Sequence, residues 1–446
     1  MFYTIYEGGL LMENYNLAVA GAGSAGIALA LKSVSMGLKV ALVDVKSREE
    51  LGYDWADSID EKALMNDLIG YKKSEEVTRP MGLKVISPKF STEFRIEYGY
   101  KIIDRRALMK RLISKAEDFG VDVFLKANSV RPLLSEEMLC TGLAFKQGEK
   151  DFKVNAELVA DCTGLSGAIK SLVPFKEMNM PLRKTDTSTA YREIRKWSGE
   201  SDAVEKQWVT FVYGINGGFS WIVPETDERI DVGYGIQNGK NYPSPETLVR
   251  QTVNKLGLKD YIKGGGGKIP ICSSPPILYM NRLLLVGDSA CQTIPTCGYG
   301  TGNSIQAGLL AGGCLAKSNL SPDERGRLYE ERYFKERGAD LGYLDILRRK
   351  LQSYTPENID WLMKKKIIGY EELYSSINGI YNKTTFLSSA GKLMKGVTRI
   401  GLIMDLKEAM DKAERFRNKL LSISKKKEDF QEWMTDYFDI ISEVNY

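Results

Sequence analysis

Apolar runs interrupted by glycine open the chain. Residues 17–20 (Leu-Ala-Val-Ala) form an uninterrupted apolar run, which is typical of a strand buried on both faces of a parallel sheet. Between Ile27 and Met36 the apolar positions recur at helical spacing, and residues 40–43 (Val-Ala-Leu-Val) form a second apolar run. The pattern predicts a strand, a tight turn, a helix and a second strand.

Similar signals recur later in the chain. Residues 283–286 (Leu-Leu-Leu-Val) predict a buried strand, and residues 303–315 read as an apolar helix. A further helix is predicted from Asp104 towards Gly120, and residues 158–164 read as a strand that ends in a glycine turn. These elements extend the first unit into a larger layer of parallel strands and helices.

The middle of the chain alternates apolar and polar positions instead. Residues 82–87 and 92–98 alternate on either side of a turn, which predicts a hairpin. Residues 208–213, 219–223 and 230–236 carry further strand signals. An antiparallel sheet is therefore predicted as an insertion between segments of the parallel layer.

These elements predict an α/β chain, α+β overall, in three parts. A discontinuous Rossmann-like domain is assigned to residues 12–75, 100–180 and 271–320. An inserted antiparallel-sheet domain for substrate is assigned to residues 76–99 and 181–270. A helical C-terminal region is assigned to residues 321–446. Residues 1–11 are expected to be an extension or the product of a misassigned start.

Composition excludes several classes of function. The 62 basic and 58 acidic side chains give a net charge of +4, which implies no nucleic-acid partner. Histidine is absent, so Ser-His-Asp catalysis and His-based zinc chemistry are excluded, and no metal site is predicted. The six cysteines form no Cys-x-x-Cys pair, and no apolar run approaches the ~20 residues of a membrane span. We expect a cytoplasmic protein, for which peripheral contact with the inner membrane face stays open.

The first glycine-rich loop, residues 21–26, has the spacing of a dinucleotide-binding turn. Gly21 permits the tight turn, Gly23 lets a pyrophosphate approach the backbone, and Gly26 lets helix and strand pack closely, with Ala25 beside it. Asp44 ends the second strand, where its carboxylate can accept hydrogen bonds from ribose hydroxyls. This loop alone leaves NAD and FAD both open.

The second glycine-rich loop starts at Gly287. Asp288 can bind a ribityl hydroxyl, and the glycine-rich helix start that follows can face a flavin, where negative charge develops on reduction. Two such loops in this order predict one FAD contacted by both. In addition to the residues of the first loop, the cofactor contacts are predicted at Trp55, Ala56, Arg105, Ser129, Gly164, Asp288, Pro295, Gly298, Gly300 and Thr301.

The four signals in series resemble the FAD-binding domain shared by aromatic hydroxylases, flavin halogenases and geranylgeranyl reductases. Residues 218–224 (Gly-Phe-Ser-Trp-Ile-Val-Pro), followed by residues 233–235 (Gly-Tyr-Gly), resemble the geranylgeranyl reductase signature of aromatic-x-Trp-x-aromatic-Pro and then Gly-x-Gly. Residues 189–193, 344–349 and 363–368 also look like segments of archaeal members.

The resemblance implies an FAD-dependent reductase of C=C bonds in the geranylgeranyl chains of archaeal ether lipids. Phe219, Trp221 and Pro224 would then bind a polyprenyl lipid. The chain shows a single GxGxxG motif, so a ferredoxin or another small carrier is expected to supply electrons.

The chain departs from the resemblance after its second strand. Many members carry a Cys-Gly loop there, whereas residues 51–57 read Leu-Gly-Tyr-Asp-Trp-Ala-Asp. Cys297, next to the glycines of the second loop, and Tyr53 become the candidate catalytic residues, although a small thiol such as Cys297 is more often a packing residue. Two alternatives stay open: a flavin monooxygenase or halogenase, whose Trp-x-Trp-x-Ile-Pro element residues 219–224 also resemble, and a prenyl-lipid escort protein.

Overall fold

The computed structural model describes residues 5–6, 10–199, 204–381 and 397–443. Its strands are β1 Ile5–Tyr6, β2 Leu10–Ala20, β3 Val40–Val43, β4 Ala56–Asp60, β5 Glu76–Thr78, β6 Gly82–Ile86, β7 Glu93–Glu97, β8 Tyr100–Asp104, β9 Asp122–Phe124, β10 Ala127–Leu134, β11 Cys140–Gln147, β12 Lys150–Asp161, β13 Thr187–Lys196, β14 Trp208–Ile215, β15 Gly218–Pro224, β16 Arg229–Gln237, β17 Tyr261–Pro270, β18 Tyr279–Met280 and β19 Leu283–Leu285. Its helices are α1 Ser24–Ser35, α2 Glu61–Leu64, α3 Arg105–Asp118, α4 Pro245–Lys255, α5 Thr301–Leu315, α6 Pro322–Tyr333, α7 Ala339–Ser353, α8 Pro356–Lys364, α9 Tyr370–Asn378, α10 Ile400–Leu421 and α11 Phe430–Ser442.

A parallel layer forms the centre of the first sheet. Strands β2, β3, β9, β12 and β19 run parallel, and an antiparallel meander of β10, β11 and β12 extends one edge. The apolar runs at 17–20, 40–43 and 283–285 are fully buried, as their composition predicts. Strand β2 begins at Leu10, ahead of the predicted domain start at residue 12.

The second sheet has seven strands in the order β17-β13-β16-β15-β14-β6-β7. It joins the hairpin of β6 and β7 to strands from residues 187–270, and every pair is antiparallel except β14 with β6. Helix α4 covers one face through Val249 and Val253, which pack on Ile230 and Val232. The other face looks towards the glycine loops, so the mixed α/β fold class is confirmed.

A buried ion cluster ties the C-terminal helices to this sheet. Asp345 of α7 is fully buried, accepts from the backbone N–H of Ser273 at 3.0 Å and pairs with Arg348 and Arg349. Arg349 also meets Asp186, at 2.8 Å. These arginines hold the pKa of Asp345 at about 2 in spite of its burial. The segment around residues 344–349 thus has a structural role.

Helix α10 packs into the core. Ala413, Phe416 and Leu420 are fully buried, and the Leu420 side chain lies where a Cβ on Gly342 of α7 would stand. Apolar residues at helical spacing here therefore mark packing against α7. Across the described residues, no helix combines the length and apolar character that a bilayer crossing requires.

Candidate cofactor and substrate site

The two glycine loops meet at the carboxyl ends of the parallel strands. A Cβ on Gly287 would lie 2.8 Å from the Cβ of Ala25. Behind the loops, α5 crosses α1 so closely that a Cβ on Gly308 would lie 2.4 Å from the carbonyl oxygen of Ala25. The two loops, far apart in sequence, therefore form one continuous surface.

The three glycines of the first loop have different surroundings. Gly21 adopts φ +100°, and a Cβ there would lie 2.4 Å from the carbonyl oxygen of Cys162. A Cβ on Gly26 would lie 1.8 Å from the carbonyl oxygen of Gly21, so both residues serve close backbone packing. A Cβ on Gly23 would meet no protein atom within 4 Å. Gly23 thus borders open space at the start of α1, where no side chain caps the helix N–H groups.

Asp44 lies at the end of β3 and braces the first loop. Its Oδ2 accepts from the Ala22 N–H at 2.5 Å and its Oδ1 from the Lys46 N–H at 2.7 Å. Each carboxylate oxygen keeps a second lone pair, and Asp44 lines the cavity described below. The residue is placed to accept from a ribose while it fixes the turn.

Arg105 connects the first loop to the second. Its Nη1 donates to Asp57 at 2.7 Å and to the Thr301 hydroxyl at 2.8 Å, and its Nη2 donates to Ser24 at 3.3 Å. Its Nε is buried with no hydrogen-bond partner within the described chain. Burial raises the pKa of nearby Asp288, and Arg105 opposes that shift.

A cavity of about 680 Å³ runs between the loops and the second sheet. Most predicted cofactor and substrate residues line it: Gly21, Gly23, Ala25, Asp44, Trp55, Ala56, Arg105, Gly164, Asp288, Gly298, Gly300, Thr301, Phe219 and Trp221. Both predicted catalytic residues, Tyr53 and Cys297, line it as well. Four predicted residues stand outside the lining: Gly26, Ser129, Pro224 and Pro295.

Those four residues have identifiable positions. Gly26 packs against Gly21, and Pro224 and Pro295 are buried behind the cavity wall. Ser129 is exposed on β10, at φ +52°, while its neighbour Val130 lines the cavity. Val130 therefore lies at the cavity, whereas the side chain of Ser129 does not.

Aromatic rings opposite glycines form the roof. In the β15–β16 pair, Phe219 faces Gly235 and Trp221 faces Gly233. A Cβ on Gly233 would lie 2.0 Å from the Trp221 indole, and one on Gly235 would lie 3.3 Å from the Phe219 ring. The Gly-x-Gly element therefore provides the space in which the two aromatic rings lie.

Arg192 is sandwiched between two tryptophans in this roof. Its guanidinium carbon lies 5.2 Å from the Trp55 ring centroid and 5.4 Å from that of Trp221. Its nitrogens donate to the Ala56 carbonyl oxygen at 2.7 Å and to Asp57 at 2.9 Å. On β13, Arg192 stands opposite Gly233 on one side and Gly265 on the other, and the tryptophans occupy the space above these glycines.

Asp231 completes the charged layer. Its carboxylate lies 3.2 Å from Arg192 and accepts from the Trp221 indole N–H at 3.3 Å. Burial raises the pKa of Asp231 to about 7; Arg192 opposes the shift and Glu225 adds to it. The cavity wall therefore contains a carboxyl group that titrates near neutral pH.

One part of the cavity wall is apolar. It includes Leu83, Phe211, Val223, Ile269 and Ile377. The Cys297 thiol and the Tyr98 phenol, which carry exchangeable protons, also line this cavity. Burial raises the pKa of the Cys297 thiol to about 11 and raises that of the Tyr98 phenol further still. The Tyr98 hydroxyl has no hydrogen-bond partner among the described residues.

The loop that replaces the Cys-Gly sequence forms an aromatic wall. Tyr53 and Trp55 stack at 4.7 Å between ring centroids, and Tyr53 is 50% exposed. Trp55 would lie 3.2 Å from a Cβ on Gly265. Tyr53 therefore stands at the cavity mouth, whereas Trp55 reaches the roof.

Sequence reasoning missed Asp57, Tyr98, Arg192 and Asp231. Arg192 lies in the segment 189–193 that the resemblance singles out, and Asp231 lies between the two halves of the aromatic signature. Their positions beside a motif were the available signal. Their mutual contacts cross three strands and a loop, which no local pattern reveals.

Two proteins named as reductases are similar to this chain in sequence. The chain is 25% identical over 449 residues to a digeranylgeranylglycerophospholipid reductase of Sulfolobus acidocaldarius, across 97% of this chain and 98% of that protein. It is 24% identical over 329 residues to digeranylgeranylglycerophospholipid reductase 1 of Methanopyrus kandleri, across 72% and 84% of the two chains. No protein-family model matches the chain.

Solved structures share the fold. A geranylgeranyl bacteriochlorophyll reductase-like protein of Thermoplasma acidophilum superposes with a TM-score of 0.74 at 18% identity, over 89% of this chain and 100% of the other. A flavin-dependent brominase superposes with a TM-score of 0.65 at 14% identity, over 90% and 100%. The comparisons confirm the predicted resemblance to the geranylgeranyl reductase family and the predicted enzyme class, an oxidoreductase with the fold of FAD-dependent reductases and monooxygenases.

Proposed function

We propose that this chain is an FAD-dependent reductase that saturates C=C bonds of geranylgeranyl chains in ether-lipid biosynthesis. The observation that carries the proposal is the continuity of one cavity. The same cavity is lined by the glycine loops and carboxylates and by aliphatic and aromatic side chains. Full-length similarity to a protein named digeranylgeranylglycerophospholipid reductase supports the proposed substrate class.

The residues present fit FAD. Open space at Gly23 and the uncapped start of α1 suit a pyrophosphate, and the buried unpartnered Nε of Arg105 leaves a donor beside the loops. Asp44 and Asp288 offer carboxylates to the ribose and ribityl hydroxyls. Bound and reduced FAD supplies the hydride for the alkene.

The chain itself provides the substrate wall and the proton. Phe219 and Trp221 present an apolar surface above their glycine partners. Cys297 remains protonated at neutral pH because its pKa is about 11, so its thiol can donate the proton that the second alkene carbon requires. The Tyr98 phenol is the second candidate donor. We propose a ferredoxin or similar small carrier as the source of electrons.

A turnover assay tests this function against the monooxygenase alternative. FAD-loaded protein, an anaerobic low-potential reductant and a geranylgeranyl ether lipid should yield product that is heavier by one hydrogen pair per reduced bond. The alternative requires oxygen consumption coupled to NAD(P)H and an oxygenated or halogenated product. Oxygen-dependent product without anaerobic reduction would overturn the proposal.

A further inference from the structure

The end of α8 and the start of α9 carry exposed basic and aromatic side chains. The three lysines at 364–366 are all exposed where α8 ends. Tyr370 and Tyr374 of α9 are 42% and 36% exposed, and their rings stack at 6.1 Å between centroids. We call residues 364–374 the α8–α9 corner.

The α8–α9 corner has an excess of positive charge. Glu371 is its one exposed acidic residue, against three lysines. Within the described parts of the chain, no ion pair engages any of these lysines. An unneutralised basic cluster next to exposed tyrosines is complementary to an anionic bilayer, where lysines contact headgroups and tyrosine rings lie at the level of the interface.

The opposite face of α9 belongs to the cavity wall. Leu373 and Ile377 are buried, Ile377 lines the cavity, and both join the apolar cluster against which Tyr98 packs. Tyr374 also lies near enough to Tyr98 to add to the raised pKa of that phenol, after burial, Asp60 and Cys297. One helix therefore separates the exposed corner from the apolar wall of the cavity.

We propose that the α8–α9 corner docks the protein on an anionic lipid bilayer and that α9 forms the passage from that bilayer to the cavity. A lipid with geranylgeranyl chains resides in a bilayer, so a docking surface next to the apolar wall shortens the transfer. The identity of the transferred lipid rests on the proposed function. The docking itself does not.

Vesicle co-sedimentation tests the docking. FAD-loaded protein is mixed with vesicles of phosphatidylglycerol and phosphatidylcholine, and with vesicles of phosphatidylcholine alone. Each basic residue near an anionic surface strengthens attachment about fivefold, so the triple variant Lys364→Glu, Lys365→Glu, Lys366→Glu should lower binding to anionic vesicles at least tenfold. Tyr370→Ser should weaken binding to both kinds of vesicle.

A matched triple variant separates the corner from total charge. The control variant changes the net charge by the same amount as the α8–α9 triple variant, at exposed positions of the Rossmann-like domain. Its substitutions are Lys146→Glu, Lys150→Glu and Lys176→Glu. This control should keep wild-type vesicle binding. An equal loss of vesicle binding in both triple variants would overturn the proposal, and so would wild-type vesicle binding by the α8–α9 triple variant. The proposal would also be overturned if the wild-type protein bound an acidic protein and did not bind anionic vesicles.

Turnover assays then separate this proposal from the proposed function. The α8–α9 triple variant should reduce detergent-dispersed lipid at the wild-type rate and lose at least about tenfold on vesicle-embedded lipid. Failure of the wild type on both preparations would contradict the proposed function while the vesicle-binding result still decides the docking. Equal activity of the variant on both preparations would contradict the passage along α9.

Discussion

The indole of Trp221 lies over Gly233, its direct cross-strand partner. A Cβ on Gly233 would stand 2.0 Å from Cζ2 of that ring, a distance that no packing adjustment of a buried strand pair accommodates without moving the ring. Moving it would also disturb Arg192, which stacks on the same indole. The fixed separation between the aromatic element and the Gly-x-Gly element thus reflects the register of β15 with β16.

Gly233→Ala is expected to displace Trp221 and lower kcat/KM at least tenfold, a loss of about 1.4 kcal/mol in transition-state binding. Gly235→Ala should have a smaller effect, because its Cβ would be 3.3 Å from the Phe219 ring. Gly401→Ala, at an exposed helical position with open space around it, serves as control. Steady-state measurements of kcat/KM with the lipid substrate test whether Gly233→Ala loses more activity than Gly235→Ala. Equal kinetics in all three variants would contradict the roof assignment.

Two glycines of the first loop should respond differently to alanine. Gly23→Ala meets no protein atom, so the apoprotein should keep its stability within about 0.5 kcal/mol while FAD affinity falls at least tenfold. Gly26→Ala clashes with the Gly21 carbonyl oxygen and should destabilise the fold itself. Thermal unfolding of the apoproteins and flavin titration measure the two effects. Unchanged flavin affinity in Gly23→Ala would show that the pyrophosphate does not bind at this loop.

Asp231 should make stability depend on pH between about 4 and 7. Its pKa in the folded protein is about 7, above the ordinary value of 3.8, so the folded state binds this proton more tightly than the unfolded state. The stabilising contribution is complete below pH 4 and is lost as the pH rises through 7. The Tm of wild type should therefore fall relative to that of Asp231→Asn across this range. Parallel curves of Tm against pH would show that Asp231 is ionised throughout.

The proton donor can be assigned by comparing Cys297→Ala with Tyr98→Phe. Loss of the donor should lower kcat by about 10²–10⁴-fold and leave KM nearly unchanged. We expect this result for Cys297→Ala and a smaller loss for Tyr98→Phe. The reverse order would transfer the role to Tyr98. Flavin content and Tm of both variants serve as controls, because both side chains contact the cavity wall.

Local sequence determined much of the fold. The uninterrupted apolar runs at 17–20 and 40–43 are typical of buried strands and lie in β2 and β3, and the alternation at 208–213 matches β14 within two residues. The glycine loops were recognisable because a positive φ at Gly21 and close packing at Gly26 leave few other residues possible. These features depend on neighbours along the chain.

The charged layer of the roof could not be predicted in this way. Arg192 meets Trp55, Asp57 and Asp231, which come from a loop and two other strands, and only the tertiary fold brings them together. Ser129 shows the opposite problem, since its neighbour Val130 lines the cavity while the serine side chain is exposed. A position one residue along a strand points to the other face.

A single-turnover experiment tests the central claim most directly. FAD-loaded protein is reduced with dithionite without oxygen, excess reductant is removed, and a geranylgeranyl ether lipid is added while flavin absorbance and lipid mass are followed together. The account predicts reoxidation of the flavin with one hydrogen pair gained by the lipid per flavin oxidised. A flavin that stays reduced beside an unchanged lipid would contradict it.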